Sequence, residues 1–389
     1  MLRVLGKGKT SLAIKELYND AKLYDDNDKN IYDVNSVELT VVSPGIPPSN
    51  FLVQNTKNLI SEYDLFSDTM PYSIWISGTN GKTTTTQMLQ HLLQSKGSVC
   101  GGNIGTPLAC MDSKANIWIL ETSSFTLHYT KKAKPNIYIL LPISEDHTSW
   151  HGSFTEYENS KLKAMDNLQE GEIALIPSKY KDYPTNGYKI CYDSPSDFQK
   201  HFDIDINKIN FKEPFLIDAL LAMSIQKILF DEIDYALINS FIQDAHKLEE
   251  FKDKKNRLWV DDSKATNIDA SIQALKSYVN KEIFIILGGD DKGANLVPLF
   301  DELIKYNITI FAIGKNTDKL YDLSIKYNIK CIKNNILQNA VNEINDILNT
   351  RESPLSEAIA ILSPAAASLD QYTSYKHRGE VFKDLVNSI

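Results

Sequence analysis

Ser73-Ile74-Trp75-Ile76-Ser77-Gly78-Thr79-Asn80-Gly81-Lys82-Thr83 joins a short apolar strand to a glycine-bearing turn and the start of a helix. Glycines in such a turn let backbone N–H groups converge on phosphate oxygens, and the helix N-terminus adds partial positive charge. In that frame Lys82 reaches the β and γ phosphates of a nucleotide and the Thr83 hydroxyl faces Mg²⁺. The general pattern GxxxxGK(S/T) asks for glycine at 76, where this chain has Ile76, so the loop is a variant with Gly78 as its first glycine. A plain Gly-rich connection is the alternative, but Lys-Thr at a helix start has no packing purpose. Downstream, Met88, Leu89, Leu92 and Leu93 put apolar groups on one helix face. The runs IWILE (117–121) and NIYILL (136–141) are continuously apolar, as parallel strands buried on both faces are.

Working outward, LRVL (2–5), the turn Gly6-Lys7-Gly8-Lys9-Thr10, a helical stretch and LTVVS (39–43) predict a small Rossmann-like unit. Beyond the loop segment, RLWV (257–260), IFIIL (283–287), ITIFAI (308–313) and AIAIL (358–362) alternate with helical patterns and predict a second doubly wound sheet. The expectation is an α/β chain of three domains: a small Rossmann-like N-terminal domain (1–68), a central P-loop ATPase-like domain with a mostly parallel sheet (69–244) and a Rossmann-like C-terminal domain (245–389). The 389 residues suit two or three such units. A net charge of −9 argues against a general nucleic-acid or anionic-membrane binder. No apolar run approaches the ~18 residues of a membrane span. The N-terminus lacks the apolar core of a secretion signal. Cys100, Cys110, Cys191 and Cys331 form no CxxC pair, which fits a reduced cytoplasm and no structural zinc.

Glu121 ends the IWILE strand, at the edge where open α/β sheets hold ligands, and a carboxylate there can hold Mg²⁺. A solvated strand-end glutamate is the alternative. His147, in SEDHTSWH, follows the next strand at the same edge and is either a ligand or a loop histidine. Asp262-Ser263-Lys264-Ala265-Thr266-Asn267 follows RLWV and opens a helix, where hydroxyls and N–H groups suit an anion. Asp262 and Thr266 are alternatively helix caps, and Lys292 a surface lysine in a Gly-rich turn.

GTNGKT (78–83), ETSS (121–124), SEDH (144–147), DSKATN (262–267), LGGDDK (287–292) and LSPAAASLDQY (362–372) stand in the order found in the Mur ligases, which the whole chain resembles. GTNGK is shared with folylpolyglutamate synthases, whereas DSKATN resembles the D-glutamate-adding branch. The resemblance implies three substrates: ATP, UDP-N-acetylmuramoyl-L-alanine and D-glutamate. It further implies two Mg²⁺ ions, replaceable by Mn²⁺, and a cytoplasmic monomer with no nucleic-acid partner and no stable membrane insertion. ATP would phosphorylate the donor carboxylate, and the D-glutamate amine would attack the acyl phosphate. Anionic groups brought together in this way need concentrated positive charge.

By the same resemblance Lys82, Glu121, His147 and Lys161 are catalytic. Thr83, Glu121, His147 and a carbamylated Lys161 are implied metal ligands, although by itself Lys161 reads as a solvated helix lysine. ATP contacts are implied for Gly78, Thr79, Asn80, Gly81, Lys82, Thr83, Thr84, Lys247, Asp262 and Lys264. Gly6, Lys9, Thr10, Gly45, Asn103 and His147 would contact the UDP substrate. Thr266, Lys292, Ser368 and Tyr375 would hold D-glutamate. Pro214-Phe215 stands where the family usually has His-Asn, Asp218 where a second Asn is usual, and Lys247 where Arg is expected.

Overall fold

A computed structural model describes residues 1–350 and 357–389. The chain forms two compact units, Met1–Phe241 and Ile242–Ile389.

The first unit contains two parallel sheets. One is small, with strands β1 (Arg3–Leu5), β2 (Lys22–Tyr24), β3 (Thr40–Val42) and β4 (Leu59–Ile60) in the order β2-β1-β3-β4. The other runs β10-β9-β8-β5-β7-β6, built from β5 (Tyr72–Ser77), β6 (Ser98–Gly102), β7 (Ile117–Glu121), β8 (Ile137–Leu140), β9 (Ile173–Pro177) and β10 (Tyr188–Tyr192). Side chains alternate across a strand, and here both faces are buried. Ile74 and Ile76 of β5 pack with Met88, Leu89, Leu92 and Leu93 of the helix Lys82–Leu93 and with the apolar helix Phe215–Phe230. Trp75 points the other way, into a cluster with Trp118, Leu120, Tyr138 and Leu140. This double burial explains why the strands read as unbroken apolar runs. It also pins the carboxyl ends of β5, β7 and β8 side by side, where the phosphate loop, Glu121 and the His147 loop leave the sheet. Tyr129 belongs to the cluster beneath the small sheet, with Leu5 and Val42, and its hydroxyl donates to the Ile46 carbonyl at 2.6 Å.

The second unit holds one sheet in the order β11-β12-β16-β13-β14-β15. Its strands are β11 (Glu249–Lys252), β12 (Leu258–Asp261), β13 (Glu282–Gly288), β14 (Ile308–Ile313), β15 (Lys330–Asn335) and β16 (Ala358–Leu362). Ile283, Ile285 and Leu287 face one core and Phe284 and Ile286 the other. β11 pairs antiparallel with β12 and was not expected: its sequence, EEFK, carries one apolar residue, and its pairing comes from backbone hydrogen bonds at a sheet edge. Among the described residues no helix is long and apolar enough to cross a membrane.

Leu89 is fully buried between the central sheet and the helix Phe215–Phe230. Leu89→Ala should lower the unfolding free energy by about 2–5 kcal/mol in urea titration. A loss below about 1 kcal/mol would mean that this layer is not closely packed.

Candidate active site

The phosphate loop adopts a conformation that only glycine takes easily. Gly78 has φ +139°, and a Cβ there would lie 2.4 Å from the Leu141 Cβ. Gly81 has φ +83°, with Asp218 Oδ1 2.6 Å from where its Cβ would be. The loop is thereby pressed against the exit of β8 and the start of the Phe215–Phe230 helix. Asp218 is buried and accepts from Thr85 Oγ1 at 2.7 Å, bracing the loop helix.

Two lysines meet on one carbonyl. Lys82 Nζ donates to the Gly78 oxygen at 3.0 Å and to the Thr79 oxygen at 2.7 Å. Lys161 Nζ donates to the same Gly78 oxygen at 2.7 Å. Lys161 is 1% exposed, and burial, followed by the charge of Lys82, pushes its amine well below the usual lysine range. Its Nζ sits 4.7 Å from the centre of the Tyr157 ring, and the Tyr157 hydroxyl lies 3.0 Å from Thr79 Oγ1. Tyr157 and Lys161 are one helical turn apart on Phe154–Leu162, so one face of that helix serves the loop.

Across the loop, Glu121 is buried at the end of β7. Its Oε2 accepts from Thr83 Oγ1 at 2.7 Å and its Oε1 from Asn103 Nδ2 at 2.6 Å. A hard divalent cation prefers such a pairing of carboxylate and hydroxyl oxygens, so Thr83 and Glu121 fit Mg²⁺. An amine that donates hydrogen bonds does not, so Lys161 fits a metal only once its nitrogen carries an oxygen ligand. His147 is exposed, with φ 52°, and its ring lies edge-on to Phe125 at 4.8 Å. Behind it His151 is 9% exposed; burial first, then His128, His147 and Lys161, push it down to about 4.

At the small sheet, Gly6 has φ +100°, and Lys9 begins the helix Lys9–Leu17, donating to the Gly105 carbonyl. Thr10 follows in the same helix, and the space above Gly45 is open.

In the second unit, Thr266, Lys292 and Ser368 leave the carboxyl ends of β12, β13 and β16, three neighbouring strands. Thr266 and Lys292 are exposed and Ser368 is buried. Lys264 Nζ lies 3.4 Å from the Tyr375 hydroxyl, and Lys247 pairs with Asp244 at 3.2 Å. Asp262 is buried, accepts from Ser363 Oγ at 2.7 Å and is pushed up to about 8 by burial. Arg378, also buried, donates to Ser263 Oγ and to the Ser263 and Ala366 carbonyls, and burial pushes it down to about 10.

Residues 76–191 match the Mur ligase middle domain. Over the full length of both chains, this one is 50% identical to the UDP-N-acetylmuramoylalanine--D-glutamate ligase of Campylobacter jejuni. It is 42% identical to the protein of the same name from Helicobacter pylori, over 99% of each. The chain belongs to the Mur ligase family. The crystal structure of MurF ligase from Thermotoga maritima in complex with ADP has the same fold, with a TM-score of 0.61 at 14% identity, covering 99% of this chain and 93% of that one.

In this Mur ligase the bare reading of Lys161 is corrected and two alternative readings fall away. Lys161 is not a solvated helix lysine, because the tertiary fold buries it against the loop. Glu121 is not a solvated strand end, being 2% exposed. Neither Asp262 nor Thr266 caps the following helix; Asn267 does, accepting from the Ala270 N–H. Sequence reading passed over Tyr157, His151 and Arg378. The i,i+4 spacing from Lys161 could have found Tyr157. The Arg378-Gly379 pair could have marked a close approach, since a Cβ on Gly379 would lie 2.2 Å from His246 Nδ1.

Asp262 has a linkage consequence. Its folded value, about 8, lies above the ordinary carboxylate range, so the unfolded chain releases this proton first. Its contribution is intact below pH ~4 and is lost as pH rises towards 8. Asp262→Asn should therefore flatten the fall in unfolding free energy between pH 5 and 8 in ligand-free urea titrations. An unchanged slope would contradict the assignment.

Proposed function

We propose that this Mur ligase uses ATP to phosphorylate the free carboxylate of UDP-N-acetylmuramoyl-L-alanine and joins that carbon to the amine of D-glutamate, releasing ADP and phosphate. The observation that carries this reading is the convergence of Lys82 and Lys161 on the phosphate loop, opposite the Thr83–Glu121 pair. The full-length likeness to proteins named for this reaction supports the choice of substrates.

A carboxylate is a poor electrophile, because its charge repels nucleophiles and oxide is a bad leaving group. Transfer of the γ-phosphoryl group gives it a good one, but gathers several anions in one place. Lys82, folded over its own loop, can swing from the Gly78 and Thr79 carbonyls onto the β and γ phosphates. Backbone amides of Gly78, Asn80, Gly81, Thr83 and Thr84 would line the triphosphate, while the Thr79 amide donates to the Pro142 carbonyl at 3.1 Å and holds the loop against the β8 exit. Two Mg²⁺ ions, replaceable by Mn²⁺, would screen the reacting anions when bound. Thr83 and Glu121 would hold one, and Glu121, His147 and a carbamylated Lys161 the other. Carbamylation is a bond between the unprotonated Lys161 nitrogen and the carbon of CO₂, with one proton released, and it converts an amine into an oxygen ligand. A buried amine that resists protonation favours that step.

Residues 1–68 would take the UDP moiety through Gly6, Lys9, Thr10 and Gly45, with Asn103 and His147 nearer the reacting end. Residues 69–244 would take ATP. Residues 245–389 would take D-glutamate through Thr266, Lys292, Ser368 and Tyr375, with Lys247, Asp262 and Lys264 contributing to ATP. The chain would work as a cytoplasmic monomer, and its four free cysteines suit a reducing compartment.

Purified protein should release phosphate only when ATP, UDP-N-acetylmuramoyl-L-alanine and D-glutamate are all present, and Lys82→Ala should lower turnover by about a hundredfold or more. Equal turnover with L-lysine, or near-normal activity of Lys82→Ala, would overturn the reading.

A further inference from the structure

His151 lies outside the set of residues given a chemical role above, yet it joins the three segments that carry them. It is the last residue of the short helix Thr148–His151, which His147 immediately precedes. Its Nε2 lies 3.0 Å from Ser124 Oγ, three residues beyond Glu121. Its Nδ1 lies 3.3 Å from Ser160 Oγ, one residue before Lys161. All three side chains are buried.

The direction of the hydrogen bonds can be worked out. Ser160 Oγ lies 2.7 Å from the Glu156 carbonyl, which can only accept, so the serine proton is committed there. Ser160 Oγ must then accept from His151 Nδ1–H. A neutral imidazole with a proton on Nδ1 has a lone pair on Nε2, and the Ser124 hydroxyl supplies the donor for it. The result is one polarised chain, from Ser124 O–H to His151 to Ser160 O–H to the Glu156 carbonyl, with the His128 ring nitrogen 3.5 Å from Ser160 Oγ beside it.

The ring is held on its faces as well. It stacks on Phe125 at 5.6 Å with 20° between planes, and Phe125 in turn contacts the His147 ring. Tyr157, whose ring lies beneath Lys161, meets the imidazole edge-on at 5.4 Å. A shift of this ring moves the β7 exit, the His147 turn and the Lys161 helix relative to one another.

We infer that His151 is a positioning residue: through Ser124 and Ser160 it sets the spacing of Glu121, His147 and Lys161 and so the affinity of the cation site they form. The inference rests on the metal reading given under Proposed function and deepens it. Partners that orient ligands in this way typically change metal affinity by about 10–100-fold when removed.

The test uses the full chain and Mn²⁺ as probe, with free Mn²⁺ read by electron paramagnetic resonance in the presence of a non-hydrolysable ATP analogue. His151→Phe keeps the ring volume and removes both hydrogen bonds. It should weaken Mn²⁺ binding by about tenfold or more. It should also lower kcat while leaving the KM for D-glutamate within about twofold. Adding Ser124→Ala to His151→Phe should weaken binding no further, because both changes break the same chain. Should His151→Phe fail to fold, Ser124→Ala and Ser160→Ala, which lose one hydroxyl each, should still weaken Mn²⁺ binding severalfold. Folded variants with wild-type Mn²⁺ affinity would overturn the inference while leaving the proposed function standing. A wild-type chain that binds no Mn²⁺ would overturn the metal reading, and this inference with it.

Discussion

The Gly78 carbonyl oxygen accepts hydrogen bonds from two lysines at once, and the rest of the first unit is arranged to make that possible. Lys82 is partly exposed, whereas Lys161 is fully buried and cannot turn to water. One consequence is electrostatic: the buried Lys161 gives up its proton more easily than any solvated lysine. The other is functional organisation: Lys82 and Lys161 present donors at the loop, with the Glu121 and Asp146 carboxylates close enough to act on Lys161, so cationic and anionic groups are both in place for the anions and cation the site would bind. Glu121 sits across the loop, tied to Thr83 and Asn103, and its carboxylate supplies the oxygens that a divalent cation prefers.

The backbone carries the same constraint. Gly78 and Gly81 take conformations that other residues adopt only with strain, and both lie against neighbours a side chain would strike. The loop is therefore fixed by Leu141 and Asp218 rather than by the ligand. Asp218 also accepts from the Thr85 hydroxyl, which gives it a structural use in this chain.

The architecture was legible wherever one rule determined it. Strands buried on both faces read as apolar runs, and β5, β7, β8, β13 and β14 were all anticipated from them. β11 was not, because a charged edge strand leaves no apolar trace. At the site, Lys82, Thr83 and Glu121 were legible from loop chemistry and from their position at strand ends. The burial of Lys161 was not, since FTEYENSKL reads as a polar, solvated helix. Its environment comes from Gly78, 83 residues earlier. His151 escaped for the same reason, because both of its serine partners lie on other elements. Local patterns report which atoms a segment offers, while the dielectric around those atoms is set by segments far away in sequence.

The central claim is that positive charge gathered at the phosphate loop drives phosphorylation of the donor's carboxylate. The direct measurement is isotopic. UDP-N-acetylmuramoyl-L-alanine labelled with ¹⁸O in its free carboxylate is turned over with ATP and D-glutamate, and the released inorganic phosphate is analysed by mass spectrometry. Phosphorylation of the carboxylate predicts one labelled oxygen in each phosphate formed. Phosphate free of label, with amide product accumulating, would contradict the account.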